Sequence, residues 1–268
     1  MRFNLTFIPD NKEQLIPINY QNEIASWINK ILHTGNDDFA KWLHDKGYMS
    51  ENKPFELFTL SNLIIPAPGF RLAEEDRMEI LANEVYVEIS FQLEEGAESF
   101  ITSLFQEQTC ILGDKKSQGS FLVKEVTRKP APKFQETMTF RAISPICLAD
   151  SSYSGDKKIA KYLSPTDTRF EEIFFDNLLG KFMANQNLLS VSPDMLNEES
   201  VFRFLKLSEA RSRLVPLKNA EEQETKVRGF LFDFKLTAPI PLLKLGYNAG
   251  FGENSSNGFG CVSVMKSL

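Results

Sequence analysis

The alternation of apolar and polar positions predicts a chain of short strands interrupted by a few amphipathic helices. Phe3, Leu5 and Phe7 alternate with polar neighbours, so the sequence opens on a half-buried strand. The segment Glu84–Leu93 alternates in the same way over ten positions and predicts a second strand. Between them, helical spacing after Pro17 predicts an amphipathic helix. Its apolar face consists of Ile24, Trp27, Ile28, Ile31 and Leu32.

The remaining pattern of the first half predicts two more helices, one strand and one hairpin. A short helix follows Asn36 or Asp37, with Phe39, Trp42 and Leu43 inward and Gly47 at its end. The other segments are a strand at Phe55–Ile65, a helix at Ala97–Gln108 and a hairpin at Cys110–Arg128 that turns near Gly113–Gly119.

The second half repeats a similar order after the proline-containing linker Lys129–Lys133. A helix is expected after Asp167, with Phe170, Ile173, Phe174, Leu178 and Phe182 buried, and Ser151–Gly155 is expected to be a loop. The predicted strands are Thr137–Leu148, Val201–Leu207, Val227–Leu236 and Cys261–Met265. The order strand–helix–strands–helix–strand thus occurs in both halves. It predicts an α+β protein of two tandem ferredoxin-like (RRM-like) domains with antiparallel sheets, at residues 1–129 and 134–268.

Composition narrows the class of protein without identifying a function. The 268 residues are 42% hydrophobic, enough for a substantial core, and the formal net charge of -6 is unusual for a nucleic-acid binder. Because net charge does not report local fields, a basic groove remains compatible with it. The 3 cysteines show no ligand or disulfide spacing, and no apolar run or leader is evident, which together predict a cytoplasmic protein without metal or cofactor.

The glycine-rich stretch Gly246–Gly260 is the most distinctive local feature of the chain. Five glycines alternate with aromatic and amide residues immediately before the closing strand. Glycines of this kind serve tight turns or close backbone approaches, and free N–H groups in such a loop can hold a phosphate. Phe251 and Phe259 are expected to fill the core in preference to stacking on bases.

This stretch resembles the C-terminal signature of the CRISPR repeat-processing endoribonucleases, which belong to the RAMP superfamily. Three further segments match in the family's order, namely the opening strand with Pro17–Gln21, Leu43–Asp45, and Ile143–Ile146 followed by Tyr162–Pro165. The resemblance implies the tandem architecture and a metal-independent cleavage of precursor CRISPR RNA within its repeats. In that reaction a ribose 2′-OH attacks the adjacent phosphate and leaves a cyclic phosphate and a 5′-OH.

The resemblance also supplies candidate catalytic residues. The only histidines are His33 and His44; both lie on the polar side of predicted helices, near ends where a cation simply complements the helix dipole. The match of Leu43–Asp45 to the family motif implies that His44 is the general acid or base, with His33 as a second candidate. Lys53, or alternatively Lys46, corresponds to the family's lysine. The family's tyrosine has no counterpart, since Asn29 and Lys30 occupy that region.

Two basic stretches and the glycine-rich stretch are the candidate RNA-binding segments. Cations along a hairpin can follow a phosphate backbone, although solubilising surface is the alternative. The candidates are Lys115, Lys116, Arg128, Arg203, Arg211, Arg213, Arg228, Gly250, Gly252, Asn254, Gly258 and Gly260.

Three functions remain open from the sequence. They are a repeat-RNA endoribonuclease, a non-catalytic repeat-RNA-binding or effector-complex subunit of the same superfamily, and an unrelated small-molecule enzyme. The expected partners are CRISPR repeat RNA and CRISPR effector-complex subunits, with the protein a monomer or homodimer.

Overall fold

The computed structural model confirms an α+β fold with antiparallel sheets. It describes residues 1–34, 57–93, 97–154, 157–184, 201–218 and 224–265. The first-half strands are β1 (Arg2–Pro9), β2 (Gln14–Pro17), β3 (Phe58–Leu60), β4 (Phe70–Ala73), β5 (Arg77–Ile80), β6 (Val85–Phe91), β7 (Thr109–Gly113) and β8 (Gln118–Lys129). The first-half helices are α1 (Gln21–Thr34) and α2 (Glu98–Phe105).

The first-half sheet has the strand order β3-β6-β1-β8-β7. Its central strand β1 pairs antiparallel with β6 on one side and β8 on the other. Alternation in β1 sends Phe3, Leu5 and Phe7 into a core that α1 and α2 also contact. With β7 as an additional edge strand, β1, α1, β3, β6, α2 and β8 follow the strand–helix–strand–strand–helix–strand order of ferredoxin-like folds.

The second half contains a smaller sheet with the same chain order. Its strands are β9 (Thr137–Ala142), β10 (Ala149–Ser154), β11 (Lys157–Tyr162), β12 (Arg203–Lys206), β13 (Arg211–Lys218), β14 (Glu224–Leu231), β15 (Asp233–Thr237) and β16 (Val262–Val264). Its helices are α3 (Phe170–Ala184) and α4 (Ile240–Ala249). The sheet order is β12-β15-β9-β16, whereas β10–β11 and β13–β14 form two separate hairpins. The division into domains at 1–129 and 134–268 stays a prediction.

A cluster of phenylalanine rings fills the second core. The ring of Phe174 on α3 stacks on that of Phe251, with centroids 5.5 Å apart, and Phe140, Phe204 and Phe234 pack around them. Phe140, Phe174, Phe234 and Phe251 are at most 1% exposed. These phenylalanine side chains therefore pack the sheet of the second half against its helices.

Several expected elements differ from those observed. Ser151–Gly155 was expected as a loop, but Ala149–Ser154 is the strand β10, whose serine-rich sequence lacks apolar alternation because it pairs only with β11. The segment Arg211–Lys218, not expected as a strand, forms β13. The single strand predicted at Val227–Leu236 breaks at Phe232, because β14 pairs with β13 whereas β15 pairs with β9 and β12.

The strands predicted at Phe55–Ile65 and Thr137–Leu148 are also shorter than expected. The first is β3, and the second ends at Ala142, after which Ser144 turns the chain and accepts a hydrogen bond from the Cys261 N–H at 2.9 Å. Pro17 ends the strand β2 instead of beginning a helix, which starts at Gln21. The short helix expected at Asn36–Gly47 lies outside the described residues.

Candidate nucleic-acid interface

Residues 246–249 of the glycine-rich stretch end the helix α4, and residues 250–260 form a largely buried loop between α4 and β16. At Gly252, where φ is +79°, a Cβ would lie 2.4 Å from the carbonyl oxygen of Cys147. At Gly260, where φ is +77°, it would lie 2.1 Å from the carbonyl oxygen of Phe251. Both positions therefore require glycine for conformation and for space. The rings of Phe251 and Phe259 are fully buried, as the sequence favoured.

The loop contacts both halves of the molecule. The Thr59 hydroxyl on β3 donates to the Phe259 carbonyl at 2.8 Å, and Gly258 lies against the side chain of Gln21 at the start of α1. Near the loop, the Asn62 N–H donates to the Ile143 carbonyl at 2.9 Å. The bond of Thr59 to Phe259 and the contact of Gly258 with Gln21 fix the loop at the junction of the two halves, and the bond of Asn62 to Ile143 joins the halves beside it.

Arg2 is the most extensively shared side chain of this junction. It is 3% exposed, and its guanidinium donates to the carbonyl oxygens of Val262 and Tyr247, the latter at 2.8 Å. The same group lies 3.4 Å from a carboxylate oxygen of Glu88 and stacks on the ring of Tyr247, 3.7 Å from its centroid. Arg2 is thus buried at the interface between the halves. The alternation of β1 had placed it on the polar face of a half-buried strand.

A second cation missed by sequence reasoning supports the loop from α3. The Lys181 ammonium donates to the Gly250 carbonyl at 2.9 Å and to the Ser255 hydroxyl at 2.8 Å. Lys181 lies three residues after Leu178 and seven after Phe174, on the buried face of the helix. A lysine at a position where the helical pattern calls for an apolar residue was the available signal.

The five loop residues proposed as RNA ligands occupy different settings. Gly250, Gly252, Gly258 and Gly260 are buried, and their positive φ values give them a backbone role. Asn254, also at positive φ, is half-buried and its amide lies 4.0 Å from the Cys147 sulfur. Contact of these residues with RNA stays a prediction.

The proposed catalytic residues cannot be placed in this geometry. His44, Lys46 and Lys53 lie outside the described residues. His33 belongs to the last turn of α1, and its side chain is outside the described part. Asn29, in the region that the resemblance aligns with the family's tyrosine, donates its amide to the Ala25 carbonyl of its own helix at 2.9 Å.

The first group of predicted RNA-binding cations lies on the β7–β8 hairpin. Lys115 and Lys116 are exposed in its turn, and the ammonium of Lys116 is 3.6 Å from Asp76. Arg128, at the far end of β8, pairs with Glu98. The turn and the far end are separated by the length of β8, so these cations do not form one patch.

The second group lies on β12 and on the β13–β14 hairpin. Arg203, Arg211 and Arg228 are exposed, and Arg228 donates to the Ser212 hydroxyl at 3.2 Å. Arg213 is half-buried, and one of its terminal nitrogens is buried without a hydrogen-bond partner in the described part of the chain. That guanidinium favours a lower pKa at Tyr20, but burial of the phenol dominates and raises the Tyr20 pKa.

Arg211 lines a groove of about 670 Å³ at the junction of the halves. Asn62 and Ile64 contribute the first-half wall, and Arg141 and Asp233 lie on the second-half side. The Arg141 guanidinium donates two hydrogen bonds of 2.8 Å to the Asp233 carboxylate, and these bonds lower the pKa of that carboxyl. Glu209 also lines the groove, so two arginines, Arg141 and Arg211, face two carboxylates, Asp233 and Glu209. Because Arg141 is paired with Asp233, Arg211 is the arginine that is left for an anion.

The described residues contain no group of three or more histidine, cysteine, aspartate or glutamate side chains placed to hold a metal ion. None of their helices has the length and apolar character needed to cross a membrane. Cys110, Cys147 and Cys261 are free thiols and buried.

Family models match both halves of the chain. The model for the N-terminal part of the CRISPR-associated protein Cas6 matches residues 15–127, and that for the C-terminal part of the same protein matches residues 128–264. A relative from Methanocaldococcus jannaschii, CRISPR-associated endoribonuclease Cas6 1, is 30% identical over 98% of this chain and 92% of its own.

Solved structures give the same answer for the fold. The product of a Cas6-related gene from Pyrococcus furiosus superimposes with a TM-score of 0.80 at 22% identity, over 100% of this chain and 99% of that one. A structure described as CRISPR associated protein Cas6 gives 0.74 at 26% identity, over 99% of both chains. The chain therefore belongs to the Cas6 family of CRISPR-associated proteins.

Proposed function

We propose that this protein is a metal-independent endoribonuclease that cleaves precursor CRISPR RNA within its repeats. The observation that carries the proposal is the match to a relative named as a CRISPR-associated endoribonuclease along nearly the whole chain, including the glycine-rich loop. The cut is made by the ribose 2′-OH on the adjacent phosphate, with loss of the 5′-oxygen as a 5′-OH and formation of a cyclic phosphate.

The proposed chemistry needs a base that takes the 2′-OH proton, an acid that gives a proton to the leaving 5′-oxygen, and a cation near the phosphate. His44 acts as general acid or base, because an imidazole titrates near neutral pH. Lys53, or alternatively Lys46, stabilises the negative charge that develops on the phosphate. His33, in the last turn of α1, is the second candidate for proton transfer.

The RNA is held by the junction of the two halves. The groove beside Arg211 and the β13–β14 hairpin offers exposed cations for phosphates, and the buried glycine-rich loop shapes the cleft. Contact of RNA with Gly250, Gly252, Asn254, Gly258 and Gly260 is part of the proposal, although the N–H groups of Gly258 and Gly260 already donate to the carbonyls of Ser255 and Pro145. The protein acts in the cytoplasm as a monomer or homodimer, and it transfers its product to subunits of a CRISPR effector complex.

The decisive experiment uses purified protein and the repeat RNA of its own host in EDTA. Wild type is expected to cut at one position and leave a cyclic phosphate and a 5′-OH, identified by mass spectrometry of the products. His44→Ala is expected to lower the single-turnover rate by about 10²–10⁴ while binding is retained. Undiminished cleavage by that variant would remove His44, and a requirement for added Mg²⁺ would remove metal independence.

A non-catalytic repeat-RNA-binding subunit is the second candidate, and one contact favours it. Asn29 lies near the position of the family's tyrosine but carries no phenol, and its amide bonds to the Ala25 carbonyl of its own helix. Tight binding of repeat RNA by both wild type and His44→Ala, with no cleavage by either, is the outcome that selects this candidate.

A further inference from the structure

A cavity on the linker side of the molecule carries a site separate from the groove beside Arg211. It has a volume of about 430 Å³, within the range of pockets that hold small ligands. Its walls come from the start of β1, the end of β8, the linker and α4. None of these residues was among the sequence-predicted ligands except Arg128.

The wall of this cavity is rich in cations. Arg2, Arg128, Lys129 and Lys244 all line it, and among the described residues no carboxylate does. Glu88 pairs with Arg2 and Lys129, and Glu98 pairs with Arg128, from outside the lining. Four cations therefore face two carboxylates, and Lys244 has no ion pair in the described part of the chain.

An aromatic surface lies beside these charges. Phe134, half-buried, packs edge-on against Tyr247 with centroids 5.6 Å apart, and the Lys244 ammonium is 6.0 Å from the Phe134 centroid. Arg2 is only 3% exposed, yet its Nε has no hydrogen-bond partner among the described residues. Asn248 donates its amide to the side-chain oxygen of Gln92 at 3.0 Å, which fixes its side chain.

We infer that this cavity binds one nucleotide of single-stranded RNA outside the cleavage site, with the phosphate on Lys244 and Arg128 and the base against Phe134. Cations beside an aromatic face are the chemistry of sequence-tolerant single-strand binding. The inference rests on the proposed function for the identity of the nucleic acid. It adds a contact that holds the strand independently of the residues that cut it.

Charge reversal at the cavity is the first test, measured with full-length protein and the host's repeat RNA in EDTA. Lys244→Glu is expected to weaken binding about tenfold and to reduce the slope of log affinity against log salt by about 1. Lys12→Glu is the matched control, because Lys12 is exposed and follows the end of β1 opposite to Arg2. Equal weakening by the two variants would mean a diffuse charge effect and would overturn the site.

The aromatic wall gives the second test. Phe134→Leu keeps an apolar side chain in contact with the core but removes the aromatic face, and it is expected to weaken binding about fivefold or more. Phe134→Tyr is expected to restore the wild-type affinity. Affinity unchanged in Phe134→Leu, or lost equally in Phe134→Tyr, contradicts stacking at this position.

Crosslinking separates failure of this inference from failure of the proposed function. Repeat RNA that carries 4-thiouridine is expected to crosslink to peptides containing Phe134 or Tyr247 in wild type. If wild type cuts the RNA but crosslinks only elsewhere, the cavity is not an RNA site and the nuclease stands. If wild type neither binds nor cuts repeat RNA, the proposed function fails as well.

Discussion

At the junction of the two halves, a single buried polar side chain can satisfy several hydrogen-bonding partners. Arg2 satisfies the carbonyls of Val262 and Tyr247 and neutralises part of the charge of Glu88, which is itself 8% exposed. Removing such a side chain leaves acceptors buried without donors, and that costs more than the bonds themselves contribute. The identity of residue 2 is therefore fixed by residues that lie far from it in sequence.

Arg2→Ala is expected to lower the free energy of unfolding by about 3 kcal/mol, because two carbonyls and part of a buried carboxylate lose their partner. The measurement is the urea midpoint at constant m-value. Arg169→Ala is the control, since Arg169 pairs with Asp150 and Glu172 on the surface and its side chain is 51% exposed. A similar midpoint shift in both variants would contradict the role assigned to Arg2.

The three thiols are expected to be unreactive in the folded protein. Burial raises the pKa of Cys147 to about 12 and that of Cys261 to about 11, and it raises the pKa of Cys110 as well. At pH 8 almost no thiolate forms, so modification by iodoacetamide should require unfolding. Rapid labelling of any of the three in native buffer would contradict their placement.

The same shifts give a direction to the pH dependence of stability. The folded protein holds these protons more tightly than the unfolded chain, whose thiols have a pKa near 9. The associated stability is complete below pH 9 and is lost as the pH rises through 11 to 12. Alanine at Cys147 should flatten the fall of the urea midpoint between pH 9 and 11, and an unchanged slope would contradict this.

At the scale of elements, glycines divide into those required by backbone geometry and those that are not. Gly260 has positive φ and a backbone oxygen where its Cβ would be. Gly180 lies within α3, is exposed, and has no atom within 4 Å of an added Cβ. The two positions form a natural pair for testing the rigidity of the glycine-rich loop.

Gly260→Ala is expected to lower the free energy of unfolding by about 2 kcal/mol or more, from the strained φ and the overlap with the Phe251 carbonyl. Gly180→Ala is expected to raise it by about 1 kcal/mol, because alanine favours a helix interior. Thermal and urea unfolding of both variants check the signs. Tolerance of alanine at residue 260 would mean that the loop can relax.

The sequence was informative where side chains face a single core. Phe3, Leu5 and Phe7 alternate because β1 is covered on one face by helices, so their strand was predicted correctly. The strand β13 was missed because Arg211, Arg213 and Pro216 interrupt the apolar alternation that predicts a strand, although the segment pairs with the neighbouring β14. The roles of Arg2 and Lys181 were missed since their partners are distant backbone carbonyls.

At the scale of the whole molecule, the two halves share hydrogen bonds that neither can make alone. Thr59 bonds to Phe259, Asn62 to Ile143, and Arg2 to Val262. Groups that are buried only when both halves are present couple the unfolding of one to that of the other. The four sequence segments that carry the family resemblance include parts of this junction.

The two halves are expected to unfold in one transition. Both tryptophans, Trp27 and Trp42, belong to the first half, whereas Cys147 and Cys261 belong to the second. Tryptophan fluorescence and exposure of the second-half thiols should therefore give the same urea midpoint. Separate midpoints would mean that the junction contributes little to stability. Thr59→Val, which removes the bond to Phe259, is the variant expected to pull them apart.

The bonds of Arg2 to Tyr247 and Val262 also impose an order on events during synthesis. Those contacts close a segment of about 245 to 260 residues, among the most distant pairings this sequence permits. Until residue 262 has left the ribosome, the Arg2 guanidinium lacks these carbonyl partners, and water or a chaperone takes their place. Premature termination anywhere before the closing strand would thus leave a nascent product with a recognisable defect at its opposite end.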